Sequence, residues 1–131
     1  MTWINKIDTS SFKVFHAKQQ ISKEFFPIIR IKNRNDITNY KGKFRIGCVG
    51  HGKSRRLNWL SKDHNNHWIL SVSYGGRAYD TIYYFFDYDK GKINYNGLRF
   101  SGERIRELTF CEIVDRIESK KYSRAEIYIG E

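Results

Sequence analysis

The sequence predicts an α+β domain with a mostly antiparallel sheet of six or seven strands and helices packed on one face. Three observations support this prediction. Residues 67–74 include apolar side chains at every second position, which is the period of a strand with one buried face. Residues 81–86 are an unbroken β-branched and aromatic run, which is typical of a central strand covered on both faces. Residues 102–119 place apolar side chains at the spacing of an amphipathic helix.

Two short turn sequences predict that the central strands are joined as hairpins. Gly75-Gly76 supplies the positive φ angles that a tight hairpin turn needs between the first strand and the second. Asp89-Lys90-Gly91 marks the next turn, which leads into a third strand over residues 93–100. A further strand over residues 55–61 precedes these three.

One possible helix and three further strands complete the predicted fold. Ser10 or Ser11 can cap a possible helix over residues 12–25, which Pro27 ends. Alternating apolar residues predict strands over 28–32, 43–49 and 125–129. With 131 residues, the chain is long enough for one domain and too short for two of typical size.

The positive charge of the chain is concentrated in its first half. The formal net charge is +10, and residues 1–62 hold 14 Lys and Arg against 3 Asp and Glu. Residues 63–131 hold 10 Lys and Arg against 11 Asp and Glu, so the second half is nearly neutral. Such a one-sided distribution indicates an anionic partner better than a high isoelectric point alone does.

Other features of the sequence indicate the cellular compartment of the protein. No apolar run approaches the roughly 18 residues of a membrane span, and the first residues lack the apolar region of a signal peptide. The two cysteines are far apart, as expected for reduced thiols. We therefore expect a cytoplasmic protein with no membrane partner.

A glycine-rich stretch offers a phosphate-binding interpretation. Residues 47–54, GCVGHGKS, match the pattern G-x-x-x-x-G-K-[ST] and follow a predicted strand. That loop normally opens a long helix in a parallel sheet, whereas here a short stretch and a series of hairpins follow, so we do not predict nucleotide hydrolysis. The turn with Lys53, Arg55 and Arg56 still provides cations for a phosphate group of any kind.

These observations lead to a functional hypothesis: a small basic protein that binds a polyanion, with RNA or single-stranded DNA as the expected partner. Cationic side chains neutralise phosphates, and neighbouring aromatic rings stack on unpaired bases. We expect no cofactor. The predicted ligand-binding residues are Arg45, His51, Lys53, Arg55, Arg56 and Arg77.

Two alternatives remain open at this point. The first is a protein-interaction module with an acidic protein partner, such as a toxin-immunity protein, an inhibitor or an anti-defence protein. The second is a metal-independent ribonuclease, since histidines and cations could supply a base, an acid and a charge for the phosphorane. The sequence does not show whether His51, His64 and His67 converge, and the run H-N-N-H lacks the further ligands of a zinc site.

Overall fold

The computed structural model describes residues 3–39, 55–75, 80–100, 108–119 and 122–124. Its centre is a six-stranded antiparallel sheet in which the strands lie side by side in chain order. The described residues also contain one α-helix, so the predicted α+β class with an antiparallel sheet is confirmed. The elements are β1 (Lys13–Phe15), β2 (Arg55–Lys62), β3 (His67–Tyr74), β4 (Asp80–Asp89), β5 (Lys92–Phe100), α1 (Phe110–Glu118) and β6 (Tyr122–Arg124).

The predicted hairpin between β4 and β5 is present. Asp89 lies opposite Lys92, so Lys90 and Gly91 form a two-residue loop. Their φ angles are 50° and 79°, and two positive φ angles are what a type I′ turn requires. The turn between β3 and β4 includes residues 76–79, which lie outside the described residues.

The two faces of the sheet carry separate hydrophobic clusters. One face packs under residues 21–37, and we call it the loop face. The other packs against α1 and the N-terminal residues, and we call it the helix face. Alternation along each strand assigns neighbouring residues to opposite faces. The sheet residues in the loop-face cluster include Leu57, Leu60, Leu70, Val72, Tyr74, Ile82, Tyr84 and Phe86. Those in the helix-face cluster include Trp59, Ile69, Tyr83, Phe85, Leu98 and Phe100.

The helix begins later than the sequence indicated. A capping box fixes its start, because the Thr109 hydroxyl accepts a hydrogen bond from the Glu112 amide and the Glu112 carboxylate accepts one from the Thr109 amide. The predicted range of 102–119 is therefore confirmed at its end, and residues 102–107 lie outside the described residues. Within the part of the chain that the structure describes, no helix is long and apolar enough to cross a bilayer.

The possible helix over residues 12–25 is wrong. This stretch contains β1 and short 3₁₀ turns at Lys18–Gln20 and Lys23–Phe25. Its apolar side chains are divided between the two faces of the sheet: Phe12 packs on the helix face, whereas Ile21 and Phe25 are buried on the loop face. One helical stripe could not reach both faces.

The predicted strand over residues 28–32 is also wrong. Ile28, Ile29 and Ile31 are all buried, whereas a strand at the edge of the sheet would have exposed alternate positions. Tight turns bury all three, as the Ile29 amide donates to the Phe25 carbonyl and the Ile31 amide to the Phe26 carbonyl. Residues 21–37 thus cover the loop face with tight turns and short 3₁₀ turns, and no predicted N-terminal helix joins α1 on the other face. The strands predicted over 43–49 and 125–129 lie outside the described residues, so the observed sheet differs from the predicted one in its members.

Candidate polyanion-binding surface

Two of the six predicted ligand-binding residues can be placed in the fold. Arg45, His51, Lys53 and Arg77 lie outside the described residues. Arg55 and Arg56 are consecutive in β2, so their side chains leave the sheet on opposite faces. The structure therefore separates this pair, and the two arginines have different surroundings.

Arg55 lies on the loop face, where it shares an aromatic ring with a second arginine. Its guanidinium carbon is 5.7 Å from the centre of the Tyr74 ring, and that of Arg30 is 4.9 Å from the same centre. Each contact has cation–π geometry, which contributes about 0.5–1 kcal/mol at exposed sites. Two cations that are distant in sequence thus meet at one tyrosine.

Buried hydrogen bonds hold Tyr74 in place. Its hydroxyl donates to the Ile29 carbonyl at 2.9 Å and lies 2.5 Å from the Tyr84 hydroxyl. Burial raises the pKa of Tyr74 well above its ordinary value of 10.0, and the neighbouring Tyr84 adds to the effect. The Tyr74 side chain is therefore uncharged at physiological pH, and its ring contacts both arginines.

The backbone at Arg30 is unusual. Its φ angle is 63°, in the left-handed region that non-glycine residues occupy at a cost of roughly 1 kcal/mol. The turn that produces this angle buries Ile29 and Ile31 and leaves Arg30 exposed. The packing of the isoleucines and the Tyr74 contact offset the strain, and together they fix the position of the Arg30 side chain.

Beside Arg30 lies an open cavity of about 720 Å³, the basic cavity. Three of its lining side chains are exposed cations, namely Lys23, Arg30 and Lys32. The rest of the lining is apolar or neutral: Phe26, Pro27, Ile31 and Asn33. No carboxylate of the described residues lines the cavity, and its volume is in the range of small-molecule sites.

Arg34 contacts one of the residues that line the basic cavity. Its guanidinium carbon lies 5.1 Å from the centre of the Phe26 ring, which is a lining group. One of its nitrogens, Nη1, donates to the Lys18 carbonyl at 2.9 Å and to the Ile21 carbonyl at 2.6 Å. Arg34 therefore ties the turn to the preceding segment.

The carboxylates of this segment are engaged with the backbone or with hydroxyl groups. Asp36 accepts hydrogen bonds from the Lys32 and Asn33 amides, which lower its pKa below the ordinary value of 3.8, and the charge of Arg55 contributes further. The Ser22 hydroxyl donates to Glu24, and that bond is the main cause of a lowered pKa there. Arg30 has no ion pair with either group among the described residues.

Arg56 joins a polar network on the helix face. Its Nε donates to the side-chain oxygen of Asn58 at 3.0 Å. Asn58 is the extra residue of a β-bulge in β2, and its amide donates to the Ser71 and Ser73 hydroxyls at 3.1 Å and 2.8 Å. Asn58, Ser71 and Ser73 are all buried, so this network satisfies polar groups inside the fold, and Arg56 is correspondingly half-buried.

Lys23, Arg30 and Lys32 were not among the residues predicted from the sequence to bind a ligand. The alternation over 28–32 placed Arg30 and Lys32 together on the outer face of a strand, which is the signal that could have identified them. Lys23 and Tyr74 gave no such signal, because only the tertiary fold brings them to the same surface.

Among models of protein families, curated proteins and solved structures, none matches this chain.

Proposed function

We propose that the protein binds a polyanion through the basic cavity and the adjoining arginines, and that this polymer is RNA or single-stranded DNA. The observation that carries the proposal is the meeting of Arg30 and Arg55 on the Tyr74 ring, next to a cavity whose described lining includes two more cations and no carboxylate. Charges from separate parts of the basic N-terminal half are thereby combined on one surface.

The chemistry of the surface fits a single-stranded polymer. Phosphates of the backbone would lie against Lys23, Arg30 and Lys32, which neutralise charge and release counterions. The lining also includes the exposed Pro27 beside the buried Phe26 and Ile31, and Pro27 offers apolar contact to an unpaired base. A duplex keeps its bases stacked inside and could use only the charges.

Arg55 remains in the proposal, whereas Arg56 belongs to the network around Asn58. Lys53 and His51 precede Arg55 closely in the chain, and they stay part of the proposal on sequence grounds, together with Arg45 and Arg77.

The test is a binding titration with fluorescently labelled RNA, single-stranded DNA and duplex DNA of one sequence. We expect the single strands to bind more tightly than the duplex at about 50 mM salt, and to weaken by at least tenfold at about 200 mM. No binding of any of the three at the lower salt concentration would refute the proposal, because the phosphate contribution is greatest there.

The same preparation distinguishes the protein-interaction alternative. A nucleic-acid binder purified at low salt is expected to carry nucleic acid and to show a raised ratio of absorbance at 260 and 280 nm. Protein that is free of nucleic acid, binds no oligonucleotide and co-purifies with an acidic protein would support an interaction module.

A further inference from the structure

A second cluster of polar side chains lies at the turn between β2 and β3, and it shares no lining residue with the basic cavity. There the imidazole of His67 is held on two sides. Its Nδ1 lies 2.9 Å from Oδ2 of Asp63, and its ring stacks on Trp3 with centroids 4.4 Å apart and planes 11° from parallel. In the part of the chain that the structure describes, Nε2 has no hydrogen-bond partner.

Asp63 is fixed more firmly than a surface carboxylate. Its other oxygen, Oδ1, accepts hydrogen bonds from the Asn65 and His67 amides, both at 2.9 Å. The residue is only 6% exposed, and Asn66 completes the turn with a φ angle of 61°. A buried carboxylate held by two amides therefore sets both the position and the tautomer of the His67 ring, with the proton on Nδ1 and the lone pair on Nε2.

His67 lines a depression of about 210 Å³ with a second histidine and a lysine. These are His64, from the same turn, and Lys6, from the first 3₁₀ turn of the chain. A second depression of about 320 Å³ shares Ser11, Asp63 and His64 with the first, and it adds Lys13 and Lys62, which are paired across β1 and β2. Lys62 lies over the Trp68 ring, which packs on the loop face, so Lys62 and its pair Lys13 are on the face of the sheet opposite to His67. The depression around His67 is thus lined by two imidazoles, Lys6 and the carboxylates of Asp8 and Asp63.

We propose that this region cleaves RNA by transfer of the phosphodiester to the neighbouring ribose hydroxyl. Nε2 of His67 takes the proton of the 2′-hydroxyl, whose oxygen forms a bond to the adjacent phosphorus. The bond from phosphorus to the 5′-oxygen breaks, and protonated His64 gives its proton to that oxygen. The products are a 2′,3′-cyclic phosphate and a 5′-hydroxyl end, so no oxidant, metal or water is consumed.

The surroundings of His67 favour this chemistry over acyl transfer. The lining includes one hydroxyl side chain among the described residues, that of Ser11, but its Oγ donates to the Asp8 carbonyl at 2.9 Å and makes no hydrogen bond to His67. The nucleophile is therefore assigned to the substrate. Lys6 supplies positive charge for a phosphorane, and Asp63 acts as a positioning residue through His67. Among the described residues, no three His, Cys, Asp or Glu side chains are placed to hold a metal ion.

This inference rests on the proposed function, because its substrate is one of the two polymers named there. The experiment incubates the full chain with a labelled single-stranded RNA in EDTA and identifies the ends of the products. We expect 2′,3′-cyclic phosphate and 5′-hydroxyl ends from RNA, and no cleavage of the DNA of the same sequence. Intact RNA under conditions in which the DNA of the same sequence binds would overturn the cleavage site alone, whereas binding of neither polymer would refute the proposed function.

Variants separate this activity from a contaminating nuclease. His67→Gln is expected to lower kcat by about 100-fold or more, as for loss of a general base, without weakening the binding of the DNA. Asp63→Asn is expected to lower kcat and leave KM nearly unchanged. His16→Gln is the matched control, since His16 lines neither depression, and it is expected to cleave like the parent protein. Equal cleavage by all three variants, with cooperative unfolding of each confirmed, would contradict the assignment.

Discussion

The meander β2–β5 and the segment 21–37, which covers its loop face, are held together by different kinds of contact. The meander is built from contacts between sequence neighbours, and its side chains alternate between the two faces. The covering segment has no regular element longer than one 3₁₀ turn, and it is held by hydrogen bonds and ring contacts to strands far away in the chain. The regular part therefore supplies the support, whereas the irregular part supplies the cations of the basic cavity.

The largest expected loss of stability comes from removing the buried ring of Phe25, through which the covering segment packs on the meander. Phe25 is fully buried, stacks on Phe86 at 4.0 Å and contacts the edge of Trp68 at 5.2 Å. We expect Phe25→Ala to lower the free energy of unfolding by about 3–5 kcal/mol, because it leaves a cavity under the segment. Urea denaturation measures the change, and Val14→Ala, at a side chain that is 43% exposed, is expected to cost well under about 1 kcal/mol. A Phe25→Ala loss as small as that of the control would mean that the segment does not pack on the meander as described.

A smaller test concerns the hydroxyl that joins the segment to the meander. Tyr74→Phe removes the bond to the Ile29 carbonyl, and we expect a loss of about 1–3 kcal/mol near pH 7. Because burial raises the pKa of Tyr74 in the folded protein above 10.0, its proton is bound more tightly in the folded state than in the unfolded state. Stability is therefore fully present below pH 10.0 and falls as the pH rises beyond it.

Denaturation at neutral pH and at about pH 11 measures both effects. The difference between the parent protein and Tyr74→Phe should shrink at the higher pH, since the variant lacks the group that must stay protonated. Tyr95→Phe, at a half-buried ring on the same face, serves as the control. A difference that stays constant with pH would contradict the burial of the Tyr74 hydroxyl.

The smallest of the stability tests concerns the cap at the end of the segment. Asp36 accepts hydrogen bonds from the Lys32 and Asn33 amides, so Asp36→Ala is expected to cost about 1 kcal/mol. The lowered pKa of Asp36 means that this contribution is present above its unfolded value of 3.8 and is lost as the pH falls through the folded value. Thermal unfolding between about pH 3 and pH 7 measures it. Asp89→Asn, at an exposed hairpin position, is the control that retains Asp36, and it should keep the pH dependence of the parent protein.

The two regions also differ in how far the sequence predicts them. Alternation over 67–74 and the Lys90-Gly91 turn are local signals, so the hairpins could be predicted from short windows. The turns around Arg30 depend on Tyr74, which lies in a different element, and the same alternation of Ile29 and Ile31 therefore suggested a strand. In the candidate surface, Arg55 was predicted from the basic turn that also holds Lys53 and Arg56, whereas its meeting with Arg30 at the Tyr74 ring required the tertiary fold.

The central claim is that cations of the N-terminal half act together at one surface, and one measurement tests it most directly. The affinity for single-stranded RNA is measured against salt for the parent protein, for Arg30→Gln/Lys32→Gln in the basic cavity, and for Lys90→Gln/Lys92→Gln at the exposed β4–β5 turn. Both double variants remove the same charge. We predict that the cavity variant binds at least about tenfold more weakly at about 50 mM salt, with a salt slope reduced by about 0.7 for each phosphate that it no longer neutralises, while the turn variant binds nearly as the parent does. Equal weakening by the two variants would show that net charge alone governs binding, and it would contradict a localised surface.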